Sequence, residues 1–188
     1  MKTEELQARD RLLVHKRTRV TVSQYDVYTQ APDGSVGMQA AFAQKKRMAV
    51  ETTFYSDESK REPLFHVKDR GPDLSSHPQR QPHDVTDHEG QPVGVVRLGE
   101  GGSFFGPRIW CVEQPGLGVI TGREKSGFRA FFRSFEAFSW LPTRFDFALD
   151  GQPAFTVRLK CGPGIRFAVD IADPGIDRRL VLATVLRL

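Results

Sequence analysis

The chain has 188 residues, 39% of them apolar and 27% charged, and a formal charge of +4. Its apolar content suffices for one substantial core, and the charge favours acidic partners such as anionic lipid or nucleic acid but is too mild to decide between them. The opening MKTEELQARD lacks the apolar stretch of a secretory signal, and no apolar run approaches the ~20 residues needed to span a bilayer. Cys111 and Cys161 stand far apart with no CxxC spacing, which excludes a disulfide framework or a zinc site of the usual kind. A cytoplasmic chain, peripheral to a membrane at most, is expected.

Strand signals dominate the chain order. TRVTVS at 18–23, MAVETTFYS at 48–56, PLFHV at 63–67, PVGVVRL at 92–98, RIWCVE at 108–113 and AFTVRL at 154–159 are short and rich in β-branched or aromatic residues. Asp33-Gly34, Glu89-Gly90 and Asp150-Gly151 supply hairpin turn chemistry between such segments. Three hairpins share one pattern: YDVYTQAPDGSVGM from Tyr25, HDVTDHEGQPVGVVRL from His83 and FDFALDGQPAFTVRL from Phe145. Each has Asp in second place (Asp26, Asp84, Asp146), and alternation puts it on the face opposite its neighbours, as expected for hydrogen bonding along a strand and not for catalysis.

Lys45, Lys46 and Arg47 form a compact basic run just before MAVETTFYS, which suits a hairpin tip or rim. His77, His83 and His88 lie in a Pro-rich polar stretch beside Asp84 and Asp87 at spacings that match no common metal site, and are expected as loop side chains. GEGGSFFGPR at 99–108 lacks both the GxSxG elbow and the Lys-Ser/Thr of a phosphate loop, so it is expected to be a hairpin connection. No catalytic residue, metal ligand or cofactor site is assigned, and a non-enzymatic protein is expected.

REKSGFRAFFRSFEAFSWL, at 123–141, interleaves aromatic and basic residues at helical steps. As an interfacial helix it would set Arg123, Lys125, Arg129 and Arg133 against lipid phosphates and insert Phe131, Phe135 and Trp140. As a buried cap it would turn the same aromatics onto the end of the fold, with arginines snorkelling outward. The final RRLVLATVLRL is apolar on nearly every side, as for an element wrapped by core, and Asp177 is a plausible N-cap; propensity alone leaves helix and strand open.

Several weak motifs in one order resemble a known family. RLLVH near the start, FYSDESKREPLFHVKDR at 54–70, HDVTDHEGQPVG at 83–94, FDFALDG at 145–151 and FAVDIADPGIDRRLVLA at 167–183 are similar to the Tubby C-terminal-like superfamily, in particular bacterial LURP-one-related proteins and their phospholipid scramblase relatives. The resemblance covers residues 11–188, leaving 1–10 as an N-terminal tail. It implies a mainly β fold, a closed antiparallel barrel of about twelve strands around a central hydrophobic C-terminal helix, with a short helical insertion near 124–141. It also implies an anionic phospholipid or membrane surface as partner, since Tubby proteins bind phosphoinositide head groups, although no individual ligand transfers. Scramblases carry cysteine clusters that this chain lacks, so lipid translocation is not expected. Calcium-responsive relatives have an acidic segment where Asp170, Asp173 and Asp177 stand here, but the spacing is not that of an EF-hand. The alternative to lipid binding is a protein-interaction scaffold or homo-oligomer using the aromatic face of 128–140. Nucleic acid is not expected as a partner.

Overall fold

A computed structural model describes residues 3–71, 81–99, 109–125, 143–160 and 164–188. A short helix, α1 (Thr3–Gln7), precedes twelve strands: β1 (Arg11–Thr18), β2 (Val22–Gln30), β3 (Val36–Lys46), β4 (Glu51–Tyr55), β5 (Pro63–Asp69), β6 (His83–Asp87), β7 (Pro92–Leu98), β8 (Ile109–Gln114), β9 (Gly118–Glu124), β10 (Arg144–Leu149), β11 (Gln152–Lys160) and β12 (Ile165–Ile171). A second helix, α2 (Arg178–Arg187), follows. Each strand pairs with its neighbours in sequence, and β12 pairs with β1 from Arg11↔Asp170 to Lys16↔Ile165, so the sheet closes on itself as an antiparallel barrel.

Closure divides every strand into an inner and an outer row. Val14 opposes Val27 on β2 and Phe167 on β12, and all three are buried on the inner face. Phe147 and Phe155 stack across β10 and β11 with centroids 4.1 Å apart, and Phe54 and Phe65 stack across β4 and β5 at 4.4 Å. Gly122 on β9 makes room for the first stack, because a Cβ there would lie 2.1 Å from the Phe147 ring. α2 fills the remaining axis. Every residue from Leu180 to Leu186 is buried, so the helix has no polar face, and its ten residues span about 15 Å. It leans on β7 at Gly94, where a Cβ would sit 3.0 Å from the Leu180 methyls. The ambiguity of RRLVLATVLRL is thus settled as helix.

The hairpin cassettes fold as hairpins: β2–β3, β6–β7 and β10–β11. Asp150 and Gly151 both adopt positive φ (48° and 82°), the geometry a two-residue turn needs to match strand twist. Two sequence expectations need correction. TRVTVS at 18–23 is not one strand: Arg19 N–H donates to Val22 O at 2.8 Å, and the chain reverses through Val20 and Thr21. Strand propensity records fit to a pleated surface, and here the β-branched residues sit on the turn that joins two such surfaces. The helix expected near 124–141 does not begin there, because Arg123 and Glu124 complete β9, paired with Asp146 and Phe145 of β10. The rest of that expectation, at 126–141, lies outside the described residues.

One barrel end is sealed. It carries the turns at 31–35, 88–91, 115–117 and 150–151, together with α1 and the start of α2. Residues 3–10 pack there, with Leu6 fully buried. Asp177 caps α2 by accepting from Arg179 N–H at 2.8 Å, and Gln7 joins the cap, accepting from Arg178 N–H and donating to Asp177. The Arg178 side chain is 2% exposed and makes four hydrogen bonds: Nε donates to Arg9 O, Nη1 to Pro174 O and Ile176 O, and Nη2 to Asp10 Oδ1, all within 3.0 Å. Removing this guanidinium strands three carbonyls that are otherwise satisfied. Arg178→Met, which keeps the stem, is therefore expected to lower folding stability by about 3 kcal/mol. Urea denaturation followed by tryptophan fluorescence checks this, and a loss under ~1 kcal/mol would show that water replaces the bonds.

Candidate functional site

Strand direction sends the other connections to the opposite rim. There β1 ends, β3 gives way to β4, α2 finishes, and the chain leaves β9 at Glu124 to re-enter β10 at Arg144. Basic side chains concentrate on this rim in two layers, one inside the barrel and one outside.

The inner layer follows from alternation. Lys16 continues the inward row of Leu12 and Val14, and Lys45 continues that of Ala41 and Ala43; Lys16 opposes Tyr25, and Lys45 opposes Ser23. Arg187 reaches the same space from the last turn of α2. Lys16 Nζ rests 5.5 Å from the centre of the Tyr25 ring. The charges oppose one another: burial lowers the Lys16 pKa, and Lys45 and Arg187 lower it further, while burial followed by Arg187 lowers that of Lys45. Burial pushes the Tyr25 phenol up to about 12, so it stays neutral. His83 faces this space from β6, 1% exposed, with Nδ1 2.6 Å from Asp69 Oδ1. Burial, then Arg187, holds the His83 pKa down to about 4, so the neutral ring donates Nδ1–H to the carboxylate. Along the neighbouring wall a cavity of about 180 Å³ is bordered by Lys16, Phe145, Leu159, Phe167 and Leu188.

The outer layer is formed by two turns. Arg47 N–H donates to Thr21 O at 2.9 Å, tying the β3–β4 turn to the β1–β2 turn. Across this joined tip Val20 is 88% exposed, Met48 90% and Val50 62%, and Arg19, Lys46 and Arg47 are exposed among them. Large apolar side chains so exposed, grouped on turns and bordered by cations, differ from the scattered exposed apolar residues of an ordinary surface.

The basic run 45–47 is therefore split, Lys45 inward and Lys46 and Arg47 outward. Arg123 and Lys125 are exposed on the same rim, with Lys125 Nζ 2.8 Å from Asp146. Arg129, Phe131, Arg133, Phe135 and Trp140 lie outside the described residues, as do His77, Cys161 and residues 100–108. Sequence reading missed Lys16, Arg187, Val20 and Met48. The inward phase of Lys16 was readable in LLVHK once that strand was recognised. His83 is corrected from loop to strand: it lies one alternation step from buried Val85, and a polar flanking sequence concealed it. His88 is on the turn at the far end of the same hairpin, so the two rings do not converge.

The remaining acidic candidates are occupied by cations or by caps. Asp26 pairs with Arg17 and Asp84 with Arg70, each at 2.6 Å, and Asp146 pairs with Arg144 and Lys125. The second-place Asp of all three cassettes thus pins a basic side chain to the barrel wall. Asp170 takes Arg158, Asp173 accepts from Gly175 N–H, and Asp177 caps α2. Among the described residues no three His, Cys, Asp or Glu side chains group to hold a metal ion, and no helix is long and apolar enough to cross a membrane.

His83 should titrate near pH 4 by NMR, well below the ordinary 6.5. The unfolded chain takes up this proton first, so stability is full above pH 6.5 and falls from there towards pH 4, by about 1.4 kcal/mol per pH unit from this residue. His83→Gln is expected to remove that share of the slope in urea titrations at pH 4.5 and 7.

No curated protein matches the chain. The sequence profile of the LURP-one-related family matches residues 39–188, which span β3 to α2 and thus most of the barrel wall together with its central helix. With the closed twelve-strand barrel, the C-terminal helix and this match together, the chain belongs to the LURP-one-related family of the Tubby-like superfamily.

Proposed function

We propose that this domain binds anionic phospholipid surfaces through its basic rim, acting by binding and not by catalysis. The observation that carries this reading is the joined tip, where Val20, Met48 and Val50 are exposed between Arg19, Lys46 and Arg47. An interfacial element needs both kinds of side chain: apolar ones to enter the acyl boundary and cations to meet phosphates. Each apolar side chain removed from water contributes on the order of 1–2 kcal/mol, and each cation near an anionic leaflet about 1 kcal/mol. Three of each together reach the roughly 8 kcal/mol of a micromolar affinity, and neither set alone does. Arg123 extends the cationic surface along the same rim, where Lys125 is paired with Asp146.

The alternative, a protein-docking or self-associating face over 128–140, depends on residues outside those described. Co-sedimentation with vesicles of phosphatidylserine and phosphatidylcholine, against phosphatidylcholine alone, tests the lipid reading. Binding is expected only to the anionic vesicles, weakening as salt rises past 0.15 M, where screening shortens to about 8 Å. Lys46→Glu with Arg47→Glu should lower it at least tenfold, and Met48→Asp by several-fold. Absence of binding to any anionic vesicle would end the proposal. Light scattering on the same samples addresses the alternative, since a dimer lost on Phe131→Asp with the fold intact would favour self-association.

A further inference from the structure

We infer that the barrel mouth, inside the rim, is a separate site for a single-chain anionic amphiphile, whose phosphate or carboxylate is received by Lys16, Lys45 and Arg187 and whose first carbons lie against Phe145, Leu159 and Phe167. The inference rests on the lipid reading of this rim for the source of such a ligand, but the site is a different one, built from the inward rows of the strands and the end of α2.

Three observations converge. Lys16, Lys45 and Arg187 come from β1, β3 and α2 into one interior space, and Lys45 and Arg187 have no hydrogen bond or ion pair among the described residues. The carboxylates nearby are engaged: Asp69 accepts from His83, and Glu124 has a partner of its own. Arg187 Nε is buried with no acceptor among the described residues, and such an orphan N–H group calls for an acceptor. Lys16 also borders the cavity of about 180 Å³, whose other walls include Phe145, Leu159, Phe167 and Leu188 together with Glu124 and Thr143, both already engaged. That volume equals about six water molecules, enough for a head group and a few methylenes but not for two acyl chains. The cations lower one another's affinity for protons, as expected where a bound anion would relieve their repulsion.

Titration calorimetry with decyl phosphate below its micelle concentration tests the site, with inorganic phosphate and decanol as the two halves of the ligand. One equivalent of decyl phosphate is expected to bind, at least tenfold more tightly than either half, and Lys16→Met with Lys45→Met is expected to weaken it at least tenfold. Lys46→Glu with Arg47→Glu should leave this affinity unchanged while lowering vesicle binding at least tenfold. Vesicle binding without decyl phosphate binding overturns this inference alone; loss of both overturns the lipid reading with it. Equal affinity for inorganic phosphate, or an affinity that the double Met variant leaves intact, also overturns it. Circular dichroism establishes the fold of each variant, and the single Lys45→Met replaces the double variant if that one does not fold.

Discussion

A helix with no polar face persists in water only if apolar side chains surround it on every side. That requirement, set by Leu180 to Leu186, dictates the rest of the molecule. A flat sheet would cover one side of α2 and leave two hydrogen-bonding edges, whereas twelve strands closed into a barrel cover all sides and leave none. The ends of the helix then become the problem, because unpaired backbone groups are released inside a dry core. Asp177 and Gln7 meet the N–H groups at one end. Arg178, placed unfavourably for the helix dipole, turns back onto three carbonyls and Asp10 and so joins the chain on either side of the barrel.

This arrangement makes the two barrel ends chemically unlike. Short turns, caps and a buried guanidinium consume the polar groups of one end. At the other, α2 delivers Arg187 into a space already holding Lys16 and Lys45, and the turns outside carry cations beside exposed Val20 and Met48. A rigid wall with connections gathered at its ends is a common way to position loops, and here the wall also sets which cations stand at this end. The cassette aspartates refine it: by holding Arg17, Arg70, Arg144 and Lys125 flat against the outer wall, they leave Lys46, Arg47 and Arg19 as the cations of the tip.

Much of the fold was legible because its signals are local. Turn dipeptides, alternating strands and the repeated hairpin pattern mark pairings between consecutive strands, and the apolar C-terminal segment marks what they enclose. The errors arose where a residue's role depends on distant chain. Val20 and Thr21 have strand propensity but sit where two strands reverse. His83 reads as a loop residue until Asp69 is placed across from it. The inner site was harder still, since Lys16 and Arg187 are 171 positions apart in sequence. Each looks like an ordinary surface cation until closure brings them together. The run 45–47 was found by composition, but only the pairing of β2 with β3 reveals that it divides between two surfaces.

The ladder between β1 and β12 also constrains the order of assembly. It joins residues 11–16 to 165–170, nearly the full length of the chain, and loop closure on that scale is entropically the most demanding contact in the barrel. α2 lies only a few residues beyond β12, and entry into a finished barrel would drag Arg187, at its far end, along the apolar interior. Closing the β1–β12 seam around an already docked helix avoids that cost. In kinetic terms α2 is a mandrel on which the barrel is wound, and sequence changes that weaken its apolar surface act first on the rate of closure.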